Sequence, residues 1–463
     1  MLADRRARLM FGLLAVLLVA TRLCHTGILW EGDALPMAAA DQMLHGKALY
    51  RGIWFDKPPL VPAFYLLSDA RPGWPVRLED ALYALLACWI AYRFARDLWS
   101  EREGLWAAGL LGFFLVFDFP SAVIPVASDL LMLAPHLAAM WMAWRRRAFW
   151  SGALAGVAFW ISPKGLFVAA VCAAWYPAGI ASMAAGFATV SGLAATWLAG
   201  TGSLAAWWQE VWVWGRLYAG SPFAEAPLQN GFVRTLNWLG FHAAILIAAA
   251  RFLSERGRFR WLVWLAVSAA GVVLGLRFFP RYYFQLLPVI VLMAARGFSL
   301  LGRAREIVAL LLLIPATRFG PDYLYAITNP AWRDVAMDRD SRTAAAFLRA
   351  HAQPGQTLFI WGYRPEIYVY TRLPAATMWL DSQPLTGVPA DRHLTNSTPV
   401  ETIEAARRRA ELAQTRPDWV LDGLGLYNPR LAVTRYPDLR MWLSQYREIA
   451  MVGETVIYRR IGP

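Results

Sequence analysis

The sequence predicts a mainly α-helical, polytopic membrane protein of about 11 transmembrane helices, followed by a small C-terminal α/β domain. Three observations support this fold class. Hydrophobic residues make up 58% of the 463-residue chain and charged residues only 17%, a balance that is typical of membrane proteins. Apolar runs alternate with short polar breaks as far as about Thr317. After Phe319 the composition becomes mixed, as in a soluble domain.

The first apolar run, residues 9–29, is long enough to cross a bilayer. It is longer than a typical signal-peptide core, and no A-x-A cleavage site precedes Trp30, so we interpret it as an uncleaved helix. The two runs around Pro163 form either one broken helix or two short ones. The further apolar segments are residues 76–95, 103–119, 122–143, 149–163, 165–179, 181–200, 235–250, 261–277, 282–295 and 306–318.

Basic residues determine the predicted orientation. With eleven crossings, fifteen arginines that flank the predicted helices all fall on one side of the membrane. The positive-inside rule then places the N-terminus in the cytoplasm and the C-terminal domain outside, together with the loops at 30–75 and 201–234. The arginines are Arg5, Arg6, Arg8, Arg96, Arg102, Arg145, Arg146, Arg147, Arg251, Arg256, Arg258, Arg260, Arg296, Arg303 and Arg305.

Residues 1–318 are thus predicted to form the transmembrane domain and residues 319–463 an extracytoplasmic α/β domain. In the second domain, TLFIW, DWVLD and ETVIYRR are predicted strands, and residues 341–351 and 402–415 are predicted helices. The chain has no GxGxxG or P-loop motif, so nucleotide binding is not supported.

The net charge of +13 is explained by basic cytoplasmic loops, and no RNA- or DNA-binding pattern accompanies it. We therefore predict no nucleic-acid partner. The three cysteines show no CxxC spacing and the histidines form no ligand pattern, so no metal site is predicted.

The loop after the first helix carries the residues best suited to chemistry. Asp33 follows that helix on the outer side, where a carboxylate can act as a general base on a hydroxyl. The alternative is an acid that caps the next segment. Glu31 is two residues away and could share the catalytic role, because a close acid pair raises the pKa of one member.

Lysine is rare in this chain. The only three lysines, Lys47, Lys57 and Lys164, fall in or beside outward-facing segments, whereas the cytoplasmic basic residues are arginines. An ammonium is a compact charge that can neutralise a phosphate. Lys57 precedes Pro58 and Pro59, which would hold the loop extended. Chance is the alternative explanation of this distribution.

Three more residues are candidates for a polar cavity. Asp129, at the start of an apolar run, should face the protein interior or else complement a helix dipole. Lys164 in ISPKGLF must pair, reach the interface or meet a ligand. Arg281, beside Arg277, could clamp a phosphate. The alternative for these cations is contact with lipid headgroups.

Together these residues resemble the GT-C superfamily of integral membrane glycosyltransferases. The resemblance is greatest to its protein O-mannosyltransferase-like branch, glycosyltransferase family 39, and to the bacterial relatives that include lipid A aminoarabinose transferases. An acidic motif after the first helix is followed there by G-x-x-L-Y-x-x-x-x-x-x-K-P-P, and a late helix carries R/H-Y-x-x-x-x-x-P. The matching residues here are Gly46, Leu49, Tyr50, Lys57, Pro58 and Pro59, then Arg281, Tyr282 and Pro288.

The resemblance implies a glycosyltransferase of the bacterial cytoplasmic (inner) membrane. Such an enzyme moves a sugar from a polyprenyl-phosphate-linked donor to a hydroxyl of a protein, lipid or glycan acceptor on the outer face. It implies that Asp33 is the catalytic base and that Lys57 contacts the donor phosphate. Asp129 and Lys164 are similar to the later acid and lysine near the cavity, and Arg281 is a further candidate for the phosphate. No cofactor is obligatory in this interpretation, and a divalent cation is an option.

One residue departs from the family pattern. Ala34 follows Asp33 where relatives often have Glu, which either moves the second carboxylate to Glu31 or dispenses with it. The rival interpretations are a transporter or flippase of lipid-linked intermediates and a catalytically inactive membrane scaffold. The absence of an inverted repeat and the position of the acids at one face favour the enzyme.

Overall fold

The computed structural model describes residues 2–220, 226–388 and 392–462 and is mainly helical. The α-helices before the C-terminal region are Leu2–Leu23, Glu31–Leu44, Leu60–Tyr65, Trp74–Leu98, Glu101–Phe114, Pro120–Val123, Ser128–Leu131, Leu133–Trp144, Ala148–Ile161, Gly165–Trp175, Ile180–Gly200, Leu204–Trp207, Trp214–Gly220, Pro227–Phe241, Ala243–Phe252, Arg258–Val273, Leu287–Leu300, Ala304–Leu310 and Leu313–Thr328. Pro177–Gly179 and Pro280–Gln285 are 3₁₀-helical, and Trp208–Val213 is a π-helix.

Continuous apolar helices are fewer than predicted. Within the described residues, Pro177–Gly200 and Ala304–His351 are long and apolar enough to cross a membrane. A third span is present if Pro227–Phe241 and Ala243–Phe252, which are bent by 83° relative to each other, count as one. The predicted number of eleven spans is therefore not confirmed. Breaks shorten many of the other apolar runs, as at Pro163, where two short helices form.

The loop predicted at residues 30–75 contains two α-helices. The Glu31–Leu44 helix begins after Trp30 and is buried along most of its length, in keeping with its alanine-rich sequence. It packs against the short Leu60–Tyr65 helix. Between the two helices the chain turns tightly at Tyr50, whose φ of 69° is in the left-handed region. This segment carries three of the six candidate site residues, Glu31, Asp33 and Lys57.

Glycines allow two helices to approach backbone to backbone. A Cβ atom on Gly152 would lie 1.9 Å from the carbonyl oxygen of Met183, and one on Gly186 would lie 2.0 Å from that of Phe149. The Ala148–Ile161 and Ile180–Gly200 helices therefore use one glycine each to approach closely. Small residues at helix contacts are typical of membrane proteins, where close van der Waals packing drives helix association.

The C-terminal region, residues 333–462, contains a four-stranded sheet in the order β1-β2-β4-β3. Strand β1 (Leu358–Trp361) pairs in parallel with β2 (Trp419–Asp422), which is antiparallel to β4 (Thr455–Arg460). Strand β3 (Tyr446–Val452) pairs with β4 at the sheet edge and is mostly exposed. The sequence predicts β1, β2 and β4 but not β3, because an exposed edge strand needs no apolar alternation.

Helices surround this sheet. The α-helices of the region are Arg333–His351, Glu366–Thr371, Gln383–Thr386, Ile403–Leu412 and Arg440–Leu443, and the 3₁₀-helices are Arg392–Leu394, Pro429–Leu431, Val433–Arg435 and Pro437–Leu439. The helix predicted at 341–351 begins earlier, at Arg333. The proposed domain boundary at 318 falls inside the Leu313–Thr328 helix.

Hydrogen bonds join the C-terminal region to the Glu31–Leu44 helix and the residues before it. The Leu29 N–H donates to Asp338 Oδ1 at 2.9 Å. The Gln42 amide donates to the Leu373 carbonyl at 3.1 Å and accepts from the Ala375 N–H at 2.7 Å. Because these groups are buried or partly buried, separating the two parts would leave them unsatisfied. The same helix therefore belongs to both the helical bundle and the surface on which the C-terminal region docks.

Replacing Gly186 with Ala should destabilise the protein, because the new methyl group would collide with the Phe149 carbonyl. We expect the free energy of unfolding to fall by about 1–3 kcal/mol, the usual range for overpacking. Gly192→Ala in the same helix is the matched control, since no atom lies within 4 Å of its Cβ position. Thermal unfolding in detergent should show a lower melting temperature for the first variant only. Equal melting temperatures for both variants would contradict the close approach.

Candidate functional site

A cavity of about 410 Å³ lies where the start of the Glu31–Leu44 helix meets the 54–57 loop, the 279–282 segment and the C-terminal region. Its lining is rich in charged and aromatic side chains. The polar and aromatic lining residues are Glu31, Trp54, Phe55, Asp56, Lys57, Phe119, Ser121, Ser128, Asp129, Tyr218, Arg234, Phe279, Arg281, Tyr282, Tyr363 and Gln383.

Glu31 lines this cavity, whereas Asp33 does not. Both residues lie in the first turn of the same helix. Successive residues of an α-helix are rotated by about 100°, so residues two apart project from nearly opposite sides. The helix can therefore present one of these two carboxylates to the cavity, and it presents Glu31. The structure does not bring the predicted base Asp33 to the site.

Both carboxylate oxygens of Asp33 are bound by other side chains inside the protein. Oδ1 accepts a hydrogen bond from the Tyr65 hydroxyl at 2.7 Å, and Oδ2 accepts one from Arg77 Nη1 at 2.9 Å. The same Arg77 nitrogen donates to Asp80 at 2.6 Å, and Nη2 donates to the Ile28 carbonyl at 2.8 Å. All three charged side chains are fully buried. Asp33 therefore fastens its helix to the Trp74–Leu98 helix.

Asp129 and Lys164 form an ion pair at the cavity wall. The Lys164 ammonium lies 2.9 Å from Asp129 Oδ1 and 3.3 Å from the centre of the Tyr282 ring. Asp129 is itself a lining residue, and Lys164 lies behind it. The structure thus brings together two residues that the sequence separates by a helical hairpin. Their charges compensate each other in the absence of a ligand.

Lys57 lines the cavity beside its own carboxylate partner. Its ammonium donates to the neighbouring Asp56 and lies 5.8 Å from the centre of the Tyr218 ring. Burial alone would lower the pKa of Lys57, but the Asp56 carboxylate outweighs burial and the pKa lies above its ordinary value. The Tyr50 hydroxyl donates to the Lys57 carbonyl at 2.8 Å, which fixes the backbone. Lys57 is therefore a held, protonated cation.

Glu31 and Arg281 are the two cavity charges with no direct bond in the described structure. Neither side chain forms a hydrogen bond or an ion pair with another described residue, although Glu31 is the charge that contributes most to keeping Arg281 protonated. A half-buried carboxylate and a half-buried guanidinium thus face the same cavity without a partner. Such groups are available to a ligand, because binding does not first have to break an existing ion pair.

The C-terminal region also contributes to the cavity through Tyr363 and Gln383. Burial, together with the charge of Glu31, raises the pKa of Tyr363 well above its ordinary value, so this phenol is a neutral hydrogen-bonding group. Sequence reasoning missed both residues, since neither belongs to a motif. It also missed Arg77. Its position within an apolar run is the signal that could have indicated a buried, paired arginine.

Asp381 is a buried acid two residues before the lining residue Gln383. Oδ1 accepts a hydrogen bond from the Gln383 N–H at 2.7 Å, while Oδ2 has no partner in the part of the chain that the structure describes. Burial, with the nearby carboxylates of Asp56 and Glu31, raises the pKa of Asp381 to about 7, although the Gln383 N–H acts to lower it. Across the described residues, no group of three or more His, Cys, Asp and Glu side chains is placed to hold a metal ion.

The whole chain is similar in structure to two glycosyltransferases. It aligns with ArnT from Cupriavidus metallidurans bound to undecaprenyl phosphate with a TM-score of 0.60 and 15% identity, over 98% of this chain and 99% of that chain. The apo state of ArnT gives a TM-score of 0.59 and 14% identity, over 100% of both chains. The Archaeoglobus fulgidus oligosaccharyltransferase in complex with Zn and sulfate gives 0.52 and 15%, over 94% of this chain and 71% of that chain.

These similarities confirm the predicted resemblance to the GT-C superfamily at the level of the fold. No family model and no curated protein sequence matches the chain. At about 15% identity, the shared architecture does not by itself assign a reaction.

Replacing Asp33 with Ala should destabilise the protein strongly, because Arg77 would lose one of its two buried carboxylate partners. Breaking a buried ion pair typically costs about 3–5 kcal/mol. Asp69→Asn is the control, since it removes the charge of an exposed pair with Arg71 that is worth about 1 kcal/mol or less, and Asn tolerates the left-handed φ of 55° at this position. Denaturant unfolding in micelles should separate the variants. If Asp33→Ala unfolds no earlier than Asp69→Asn, the structural role assigned to Asp33 is untenable.

The raised pKa of Asp381 predicts a pH-dependent stability. The folded protein holds this proton up to about pH 7, whereas the unfolded chain releases it near 3.8. The contribution of Asp381 to stability is therefore complete below pH 3.8 and is lost as the pH rises to about 7. Asp381→Asn should raise the melting temperature relative to wild type more at pH 8 than at pH 5. A difference that does not change with pH would contradict the prediction.

Proposed function

We propose that this protein is a membrane glycosyltransferase that moves a sugar from a polyprenyl-phosphate-linked donor to an acceptor hydroxyl. The observation that carries the proposal is a cavity that the carboxylate of Glu31 and the guanidinium of Arg281 both line, neither of them paired with another residue that the structure describes. A carboxylate can remove a proton from a hydroxyl, and a guanidinium can bind a phosphate. Sugar transfer from a lipid phosphate needs both groups.

Glu31 is the proposed catalytic base. The other acids of the site are already engaged, since Asp56 pairs with Lys57 and Asp129 pairs with Lys164. A carboxylate held by an ammonium is a weaker base, because the positive charge favours the ionised form. Asp33, the base expected from the sequence, is bound on both oxygens outside the cavity. The proposed base is therefore two residues before Asp33, at the start of the same helix.

Arg281 and Lys57 are the proposed ligands of the donor phosphate. Arg281 can offer two parallel N–H donors to phosphate oxygens, a geometry that guanidinium groups favour. Lys57 supplies a second positive charge at the cavity wall. The Tyr50 hydroxyl holds its backbone through a hydrogen bond to the Lys57 carbonyl. Lys164 is a more distant contributor, since it lies behind Asp129. Positive charge at this position stabilises the phosphate as it leaves.

The proposed reaction is a single displacement. The acceptor oxygen attacks the anomeric carbon of the sugar, and the bond between that carbon and the phosphate oxygen breaks. The electron pair of the broken bond stays on the polyprenyl phosphate, which Arg281 and Lys57 neutralise. The proton of the acceptor hydroxyl passes to Glu31. No nucleotide takes part, in agreement with the absence of a nucleotide-binding motif from the sequence.

The structural neighbours support this type of donor. ArnT was solved with undecaprenyl phosphate bound, and the GT-C architecture is shared by enzymes that use lipid-linked sugars. The proposal also includes an orientation with the cavity on the outer side of the bacterial inner membrane, as the arginine distribution predicts. The acceptor, a protein, lipid or glycan, would approach beside the C-terminal region, which contributes Tyr363 and Gln383.

Replacing Glu31 with Gln should abolish transfer while leaving donor binding intact, since the amide cannot accept the proton. We expect turnover to fall by at least about 100-fold. Arg281→Met should instead weaken donor binding. The measurement is transfer of radiolabelled sugar from polyprenyl-phosphate donors in membranes, with donor binding measured separately on purified protein.

Asp33→Asn serves as the comparison at matched expression. We expect it to lower thermal stability and to keep more transfer per folded molecule than Glu31→Gln. Full transfer by Glu31→Gln would overturn the assignment of the base. Movement of the lipid-linked sugar across the membrane without transfer, unaffected by Glu31→Gln, would favour a transporter, and the absence of both activities would favour a scaffold.

A further inference from the structure

A broken helix packs against the 54–57 loop, which carries Lys57. It consists of Leu204–Trp207, the π-helical Trp208–Val213 and Trp214–Gly220. We call the whole of residues 204–220 the covering helix. Its sequence, LAAWWQEVWVWGRLYAG, contains a single acid, Glu210. π-helical turns are rare and are often found at functional sites.

One face of the covering helix packs against the 54–57 loop. Side chains four apart lie on the same face of a helix, and three such residues contact the loop. The Trp214 ring lies edge-on to Trp54 with centroids 5.4 Å apart, and the Tyr218 ring lies 5.8 Å from the Lys57 ammonium. Glu210, the first of the three, binds the backbone of Phe55, which lies between Trp54 and Lys57 in the loop.

Glu210 anchors this face to the loop by a hydrogen bond. Its Oε2 accepts the backbone N–H of Phe55 at 2.8 Å, and its side chain is 94% removed from solvent. Burial, with a smaller contribution from the Asp56 carboxylate, raises the pKa of Glu210 to about 9, although the Phe55 N–H and Arg408 act to lower it. Glu210 is therefore protonated at neutral pH and binds Phe55 as a neutral acceptor. A neutral Glu210 does not repel the nearby Asp56 carboxylate.

The loop is rigid between this anchor and Lys57. The Trp54 N–H donates to the Met378 carbonyl at 2.8 Å, and the Tyr50 hydroxyl donates to the Lys57 carbonyl at the same distance. Pro58 restricts the backbone of the residue before it. A shift of the Phe55 backbone is therefore passed on to Lys57. Displacements of about 1 Å can cost about 100-fold in a reaction or a binding step.

We propose that Glu210 is a positioning residue for the donor-phosphate site, which it serves by holding the Phe55 N–H and thereby the place of Lys57 in the cavity. This inference rests on the proposed function, because it assumes that Lys57 binds the phosphate of a polyprenyl donor. Glu210 touches neither donor nor acceptor. It acts through the backbone, and the requirement is for an acceptor atom at that distance rather than for a charge.

The test compares Glu210→Leu, Glu210→Asp and Glu210→Gln by measuring binding of undecaprenyl phosphate to the purified full-length protein. Leu removes the acceptor, and Asp keeps a carboxyl group but is one methylene too short to reach Phe55. Both should weaken binding by about tenfold or more. Gln presents an amide oxygen at the same reach and should bind within about threefold of wild type. Val211→Ala is the matched control for looser packing of the same turn, since Val211 is buried but forms no polar contact with the loop.

The outcomes separate this inference from the function on which it rests. Failure of the wild-type protein to bind undecaprenyl phosphate would overturn the proposed function and the inference with it. Binding by the wild type and equally by Glu210→Asp and Glu210→Leu would overturn the inference alone. Weak binding by Glu210→Gln would also overturn it, because the charge rather than the acceptor atom would then be needed. If Glu210→Leu does not fold, the contrast between Asp and Gln decides the question.

Discussion

The buried guanidinium of Arg77 is the interaction on which the geometry of the site depends. It binds Asp33 and Asp80 and also the carbonyl oxygens of His25 and Ile28. A charge so far from solvent must be paired on all sides, because an unpaired buried ion is very costly. Arg77 therefore joins the end of the first helix, the Glu31–Leu44 helix and the Trp74–Leu98 helix in one arrangement.

This arrangement sets the rotation of the Glu31–Leu44 helix. With Asp33 turned inward to Arg77, Glu31 is turned toward the cavity on the opposite side. Two acids that look equivalent in the sequence thus acquire different tasks. One holds the bundle together, and the other is left free to bind a ligand. The same helix carries Gln42, which docks the C-terminal region, so the position of that region is linked to the same contact.

The charges around the cavity are balanced before a ligand arrives. Lys57 and Lys164 each have a carboxylate partner, and the pairing keeps each ammonium in place. Arg281 has no such direct partner among the described residues and is matched at longer range by Glu31. An arriving phosphate would meet Arg281, which has no direct partner among the described residues, and the paired ammonium of Lys57. The arrangement favours an anionic ligand without leaving a large uncompensated charge in the empty site.

The sequence by itself determined the membrane character, the mainly helical fold, three of the four strands and the importance of the segment from Glu31 to Lys57. These properties follow from composition and local patterns, which act between residues close in the chain. The tertiary structure decided which acid faces the cavity, that Asp129 and Lys164 pair, and that Tyr363 and Gln383 complete the lining. Those outcomes depend on helix rotation and on contacts between residues far apart in the chain. They cannot be predicted from periodicity or spacing, because they depend on which buried charges form ion pairs when the helices pack.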